Sequence, residues 1–127
     1  MSLDINPVVP NDRQFIQSYG DGRFKVTGEV YEGSILVFPG RTRLWPVTHF
    51  EHIDHASLSE IVAERDAVDI VLIGCGERFK AVPKGLRAAL KDAGIVLEWM
   101  DTGAACRTFN VLVAEERRVA AAILAVE

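Results

Sequence analysis

The feature that most constrains this chain is a strand, helix, strand pattern near its middle. Residues 69–73 (DIVLI) form a continuous apolar, β-branched run, the signature of a strand covered on both faces of a parallel sheet. Residues 95–100 (IVLEWM) read as the next buried strand. Between them Pro83 suits the first position of a helix, Leu86, Leu90 and Ala93 line its inner face, and Gly94 stops it. Strand, helix, strand over about 30 residues is a right-handed βαβ crossover, which makes the two strands parallel neighbours.

The first third has a different period. Residues 15–19 are short and apolar, with a Gly20-Asp21-Gly22 turn after them. Residues 24–30 alternate apolar and polar as a half-buried strand does. Glu32-Gly33 then turns the chain into residues 34–38, which Pro39-Gly40 ends. The expectation is an N-terminal antiparallel β meander. Ser57-Leu58-Ser59-Glu60 has the spacing of a capping box and opens a short helix. From Thr102 a helix is expected to run to about Glu115, with Ala105, Cys106, Phe109, Leu112 and Val113 on one face. Residues 119–126 (VAAAILAV) fit either an extension of that helix or a final strand, because alanine favours helices and the run is apolar throughout.

Composition narrows the function. The 127 residues suit a single domain, 1–127, and no linker or repeat divides them. The longest apolar run has eight residues, far short of the roughly 20 that a membrane-spanning helix needs. No secretory signal is read at the start, so the expected location is the cytoplasm. A net charge of −4 and scattered basic residues argue against nucleic acid as a partner. Two cysteines without CxxC spacing read as thiols in a reducing compartment.

Several residues invite chemistry. Gly74-Cys75-Gly76 follows a buried strand, where dinucleotide-binding proteins place a glycine-rich turn, but Phe79 stands at the third glycine position and the helix begins too late. A sharp turn or a small anion nest remains. Asp101 or Thr102 can cap the following helix, whose first amides are an anion site by default. Cys106 sits near that helix start beside Arg107, which lowers a thiol's pKa; it also falls on the apolar stripe, where thiols are inert core. Arg107 and Asn110, three residues apart, are placed on one polar helix face, suited either to a carboxylate, a phosphate or a partner's backbone, or to tying down a loop. His49, His52 and His55 are read as solvated surface residues, with a metal site the less favoured reading. Glu29 and Glu32 are read as solvated hairpin charges. No catalytic residue, metal or cofactor is assigned. The ligand- or partner-binding candidates are Gly74, Cys75, Gly76, Asp101, Thr102, Arg107 and Asn110.

Over nearly its whole length the chain resembles the small α/β family that includes mitochondrial complex I assembly factor 3 and its bacterial relatives. The residues that carry the likeness are Gly33 to Val37 with Pro39, Trp45, Leu72 to Gly76, Met100 to Thr102 and Ala105 to Asn110, with Glu115 and Arg118 to Ala120 completing it. Cys75 departs from the pattern, which favours a hydroxyl residue there. The resemblance implies an α/β fold in three layers with a central mixed sheet, residues 119–126 forming a last strand antiparallel to its neighbours. It further implies a non-enzymatic assembly or interaction factor, peripheral to the inner membrane, with protein partners and no membrane insertion. The competing class is a small-ligand (anion or nucleotide) binder or enzyme, with its site at the strand ends near Gly74–Gly76 and Asp101–Asn110.

Overall fold

The structure is a computed structural model and describes residues 3–4 and 13–127. Two sheets organise it. A small antiparallel sheet has the order β1 (Leu3–Asp4), β2 (Ile16–Gly20), β3 (Arg23–Val26), β4 (Glu29–Glu32). A five-stranded mixed sheet contains β5 (Ile35–Val37), β6 (Thr42–Leu44), β7 (Ile70–Gly74), β8 (Val96–Met100) and β9 (Val119–Ile123), in the order β6-β5-β9-β7-β8. Among the described residues three α-helices accompany them: α1 (Ser59–Ala63), α2 (Leu86–Asp92) and α3 (Thr102–Ala114).

Every residue of β7 and β9 is buried, because both are central strands of a sheet covered on both faces. β7 pairs in parallel with β8, from Ile70↔Val96 to Gly74↔Met100, as the crossover pattern requires. The chain moves one way across the sheet through α2 and the other way through α3. Right-handed crossovers of opposite direction place their helices on opposite faces. Leu86 and Leu90 of α2 accordingly pack with Leu58, Ile61, Val71, Ile73 and Trp99 on one side. Ala105, Cys106, Phe109 and Val113 of α3 pack on the other, together with Ile16, Phe24 and Val26 of the small sheet. These are the three layers, and each fully buried Phe or Leu among them contributes about 1.5–3 kcal/mol.

The structure corrects the local reading in several places. Residues 119–126 include a strand, β9, as the resemblance implied, but only one neighbour is antiparallel. β9 is antiparallel to β5 and parallel to β7, since α3 carries the chain back over β7 as a second crossover. Residues 24–30 are two strands. Thr27 (φ 46°) and Gly28 (φ 86°) form a two-residue turn between β3 and β4, the conformation of a type I′ hairpin. Period-2 alternation ran through the turn because Thr is not a usual residue there. Its left-handed backbone is held instead by Phe15, which accepts from the Thr27 amide (3.0 Å) and donates to Thr27 Oγ1 (2.9 Å).

The meander also ends earlier than expected, because β5 leaves it to pair with β6 and β9. β8 is half-exposed, not buried: it is an edge strand with Val96 and Glu98 facing outward. The capping box does not form. Ser57 exchanges hydrogen bonds with Asp54 (2.8–2.9 Å), and Glu60 pairs with Arg43 at 2.9 Å. α2 starts at Leu86, three residues after Pro83, because Gly85 (φ 83°) turns the chain just before it.

Candidate functional site at the strand carboxyl ends

β7 and β8 end side by side at Gly74 and Met100, where the connections diverge to opposite faces. Open α/β sheets collect ligands at such a point. Here the chain closes the crevice on itself. The Cys75 amide donates to Met100 O (2.8 Å) and the Thr102 amide to Gly76 O (2.8 Å). The Gly76 amide donates to Thr102 Oγ1 (3.2 Å), and that hydroxyl donates to Leu124 O (2.7 Å). The Leu124 amide returns to Gly74 O at 2.9 Å. Thr102, fully buried, thus joins the ends of β7, β9 and α3. Asp101 caps α3, its carboxylate accepting from the Ala104 amide at 2.9 Å.

Gly74 is required by packing, not by backbone conformation. A Cβ there would stand 2.7 Å from Ile123 Cγ2, 3.1 Å from Thr102 Cα and 3.2 Å from Ala105 Cβ, so the start of α3 rests directly on this residue. Gly76 has open space around it but φ is +113°, a conformation that glycine adopts freely.

Arg107 and Asn110 do not share a polar face. Arg107 is exposed and its Nη1 donates to the Tyr19 hydroxyl at 3.3 Å. Asn110 is buried on the apolar side of α3, four residues from Cys106 and three from Val113. Its Oδ1 accepts from the Ile16 amide and its Nδ2 donates to Ile16 O, both at 2.8 Å. The two residues expected at the strand-end site with the glycine turn therefore face the small sheet instead. Only Gly74, Cys75, Gly76, Asp101 and Thr102 are brought together.

Beside Gly76 lies a cleft of about 420 Å³, bordered by residues 48–50, the loop from Glu77 to Lys80, and Leu124 and Ala125. Sequence reasoning missed this second wall, since nothing local joins the loop after β6 to the turn after β7.

Residues 16–124 match the model of a family described as a protein of unknown function, DUF498/DUF598. The chain belongs to this family. It is 38% identical over 109 residues to an uncharacterized protein of Rhodobacter capsulatus, covering 86% of this chain and 82% of that one. It is 31% identical over 110 residues to the NADH dehydrogenase [ubiquinone] 1 alpha subcomplex assembly factor 3 of Xenopus tropicalis, covering 87% of this chain. The match spans 60% of that assembly factor's length. A crystal structure titled as an outer membrane protein from Bartonella henselae superimposes with a TM-score of 0.85 at 37% identity, covering 94% of this chain and all of the other. The stretch matched by the DUF498/DUF598 family runs from Ile16, the partner of Asn110, to Leu124, the partner of Thr102.

Within this DUF498/DUF598 chain both cysteines are buried thiols. Burial pushes the Cys106 thiol well up; Arg107 opposes this and Asp101 adds to it. The helix-start position therefore does not produce a thiolate here. Cys75 has a structural task, its Sγ accepting from the Lys80 amide (3.4 Å) and donating to Arg78 O (3.6 Å). His49, His52 and His55 are exposed, and the rings of His49 and His52 lie 6.0 Å apart. Among the described residues no group of three His, Cys, Asp or Glu side chains converges. Glu32 pairs with Arg23 at 3.3 Å, and Glu29 accepts from the Tyr31 hydroxyl at 3.4 Å. No helix among the described residues is long and apolar enough to cross a membrane.

Proposed function

We propose that this chain is a non-enzymatic assembly or interaction factor for a membrane-bound respiratory complex, complex I or another, acting from the cytoplasmic side of the inner membrane. The observation that carries the reading is the 31% identity to an assembly factor named for NADH dehydrogenase over 110 residues, 87% of this chain. The geometry supports it. The polar groups at the strand ends are spent on holding β7, β9 and α3 to one another, which favours a rigid surface over a reacting centre. The outer rim carries Phe79, 65% exposed, between Arg78 and Lys80, and aromatic and arginine side chains are the usual anchors of protein interfaces.

The test is made in the native host. A tagged copy is expected to retain subunits of a respiratory or other membrane complex during its assembly, and deletion of the gene to lower that complex's activity. Capture of no such component, together with full complex I activity in the deletion strain, would sink the proposal.

A further inference from the structure

The cleft beside Gly76 has a chemical bias that the proposed assembly function does not require. Its 420 Å³ falls within the range of small-ligand sites, about 300–1,000 Å³. Three nitrogen-bearing side chains border it, His49, Arg78 and Lys80, against one carboxylate, Glu77. Arg78 and Lys80 have no acidic partner among the described residues, whose ion pairs engage Arg23, Arg41, Arg43, His49 and Arg118. The amides of Glu77 and Arg78 likewise meet no protein acceptor among those residues.

Two of these side chains are also ordered by one ring. The Lys80 ammonium lies 5.0 Å from the centre of the Phe50 ring, and the His49 ring stacks on the same Phe50 with centroids 4.9 Å apart. The backbone beneath them is pinned at three points: Cys75 Sγ takes the Lys80 amide and binds Arg78 O, and Trp99 Nε1 donates to Lys80 O at 2.6 Å. Glu51 occupies His49 Nδ1, which leaves Nε2 as the unengaged ring nitrogen. Arg78 and Lys80, cations without acidic partners among the described residues, border a concave space on a loop whose backbone is pinned. They favour an anion because charge-assisted hydrogen bonds are the strong ones and little backbone order remains to be imposed.

We infer that this cleft holds an oxyanion, the phosphate or carboxylate end of a small ligand, between Arg78, Lys80 and His49. This goes beyond the assembly reading and stands or falls separately from it.

The experiment is an amide NMR titration of the whole chain with inorganic phosphate and, in a second arm, with acetate, each against sodium chloride of equal ionic strength. Expected are saturable shifts confined to residues 48–50 and 75–80, from at least one of the two anions. Tighter binding of phosphate assigns a phosphorylated ligand, and tighter binding of acetate a carboxylate. Arg78→Ala/Lys80→Ala, two exposed positions, is expected to keep the thermal midpoint and weaken binding at least about tenfold. Shifts that are linear in anion, spread over the surface, or unchanged in the double variant would overturn the inference. Neither result bears on which complex the chain helps to assemble.

Discussion

Asn110 clamps the backbone of Ile16, accepting from its amide and donating to its carbonyl at 2.8 Å each, across 94 positions of sequence. A carboxamide carries a donor and an acceptor side by side, so it completes both main-chain groups of one strand residue as a neighbouring strand would. The pair ties the small sheet to α3 in the middle of an apolar layer.

Asn110→Ala removes both partners and leaves a buried amide and carbonyl unsatisfied. The expected loss is about 2–6 kcal/mol in urea unfolding, as each of the two orphaned groups costs about 1–3 kcal/mol. Arg107→Ala, on the exposed side of the same helix, is expected to stay within about 0.5 kcal/mol of the parent. Equal effects would contradict the assignment of the two residues to different faces.

Gly74→Ala and Gly76→Ala separate two reasons for a glycine. The first adds a methyl group 2.7 Å from Ile123 Cγ2, and overpacking of this kind costs about 1–3 kcal/mol. The second meets nothing but strains a left-handed backbone, for about 1–2 kcal/mol. A crystal structure of the Gly74 variant is expected to show α3 displaced from β7, with the Gly76 variant unmoved. Displacement in both would merge the two explanations.

Thr102→Val keeps the shape of the side chain and deletes the hydroxyl that joins Gly76 to Leu124. The Leu124 carbonyl then lacks that donor, so a loss of about 1–3 kcal/mol is expected, read as a lower denaturation midpoint. Thr102→Ser, which keeps the hydroxyl, should recover most of it. No recovery would mean that the methyl group, and not the bond, matters.

Cys106 provides a test by pH. Burial raises its thiol pKa in the folded chain, while in the unfolded chain it ionises near about 8.5. The contribution of the neutral thiol is therefore complete below that pH and declines as pH rises, by about 1.4 kcal/mol per unit. Stability is expected to fall between pH 8.5 and 10, and Cys106→Ala to flatten that decline. An identical slope in the variant would remove Cys106 as the cause. Iodoacetamide should also modify Cys106 more slowly in the native chain than after unfolding.

Arg87 guards the edge of β8, its Nη1 donating to Leu97 O at 2.6 Å. Exposed strand edges template pairing with other chains, and a charged side chain across the edge discourages it. Arg87→Ala is expected to increase self-association in sedimentation velocity at high protein concentration. A variant as monodisperse as the parent would show that the edge needs no guard.

The sequence by itself determined the elements whose signal is local. The apolar run before Gly74 became the central strand β7, Asp101 and Gly94 marked a helix start and a helix stop, and the βαβ pairing followed from handedness. Local pattern left residues 119–126 open between helix and strand until the sheet placed β9 between β5 and β7. It also placed Cys106 on the apolar stripe. Only tertiary structure decided which polar groups were free. Thr102 and Asn110 look like open polar groups until strands distant in sequence supply Leu124 O and Ile16 as their partners. Thr27 becomes a turn residue only because Phe15 holds it. The cleft beside Gly76 exists only because the chain after β6 returns to the end of β7. A side chain's hydrogen-bond partner lies at a distance in space that local periodicity does not encode, so the fold was legible early and the state of its polar groups was not.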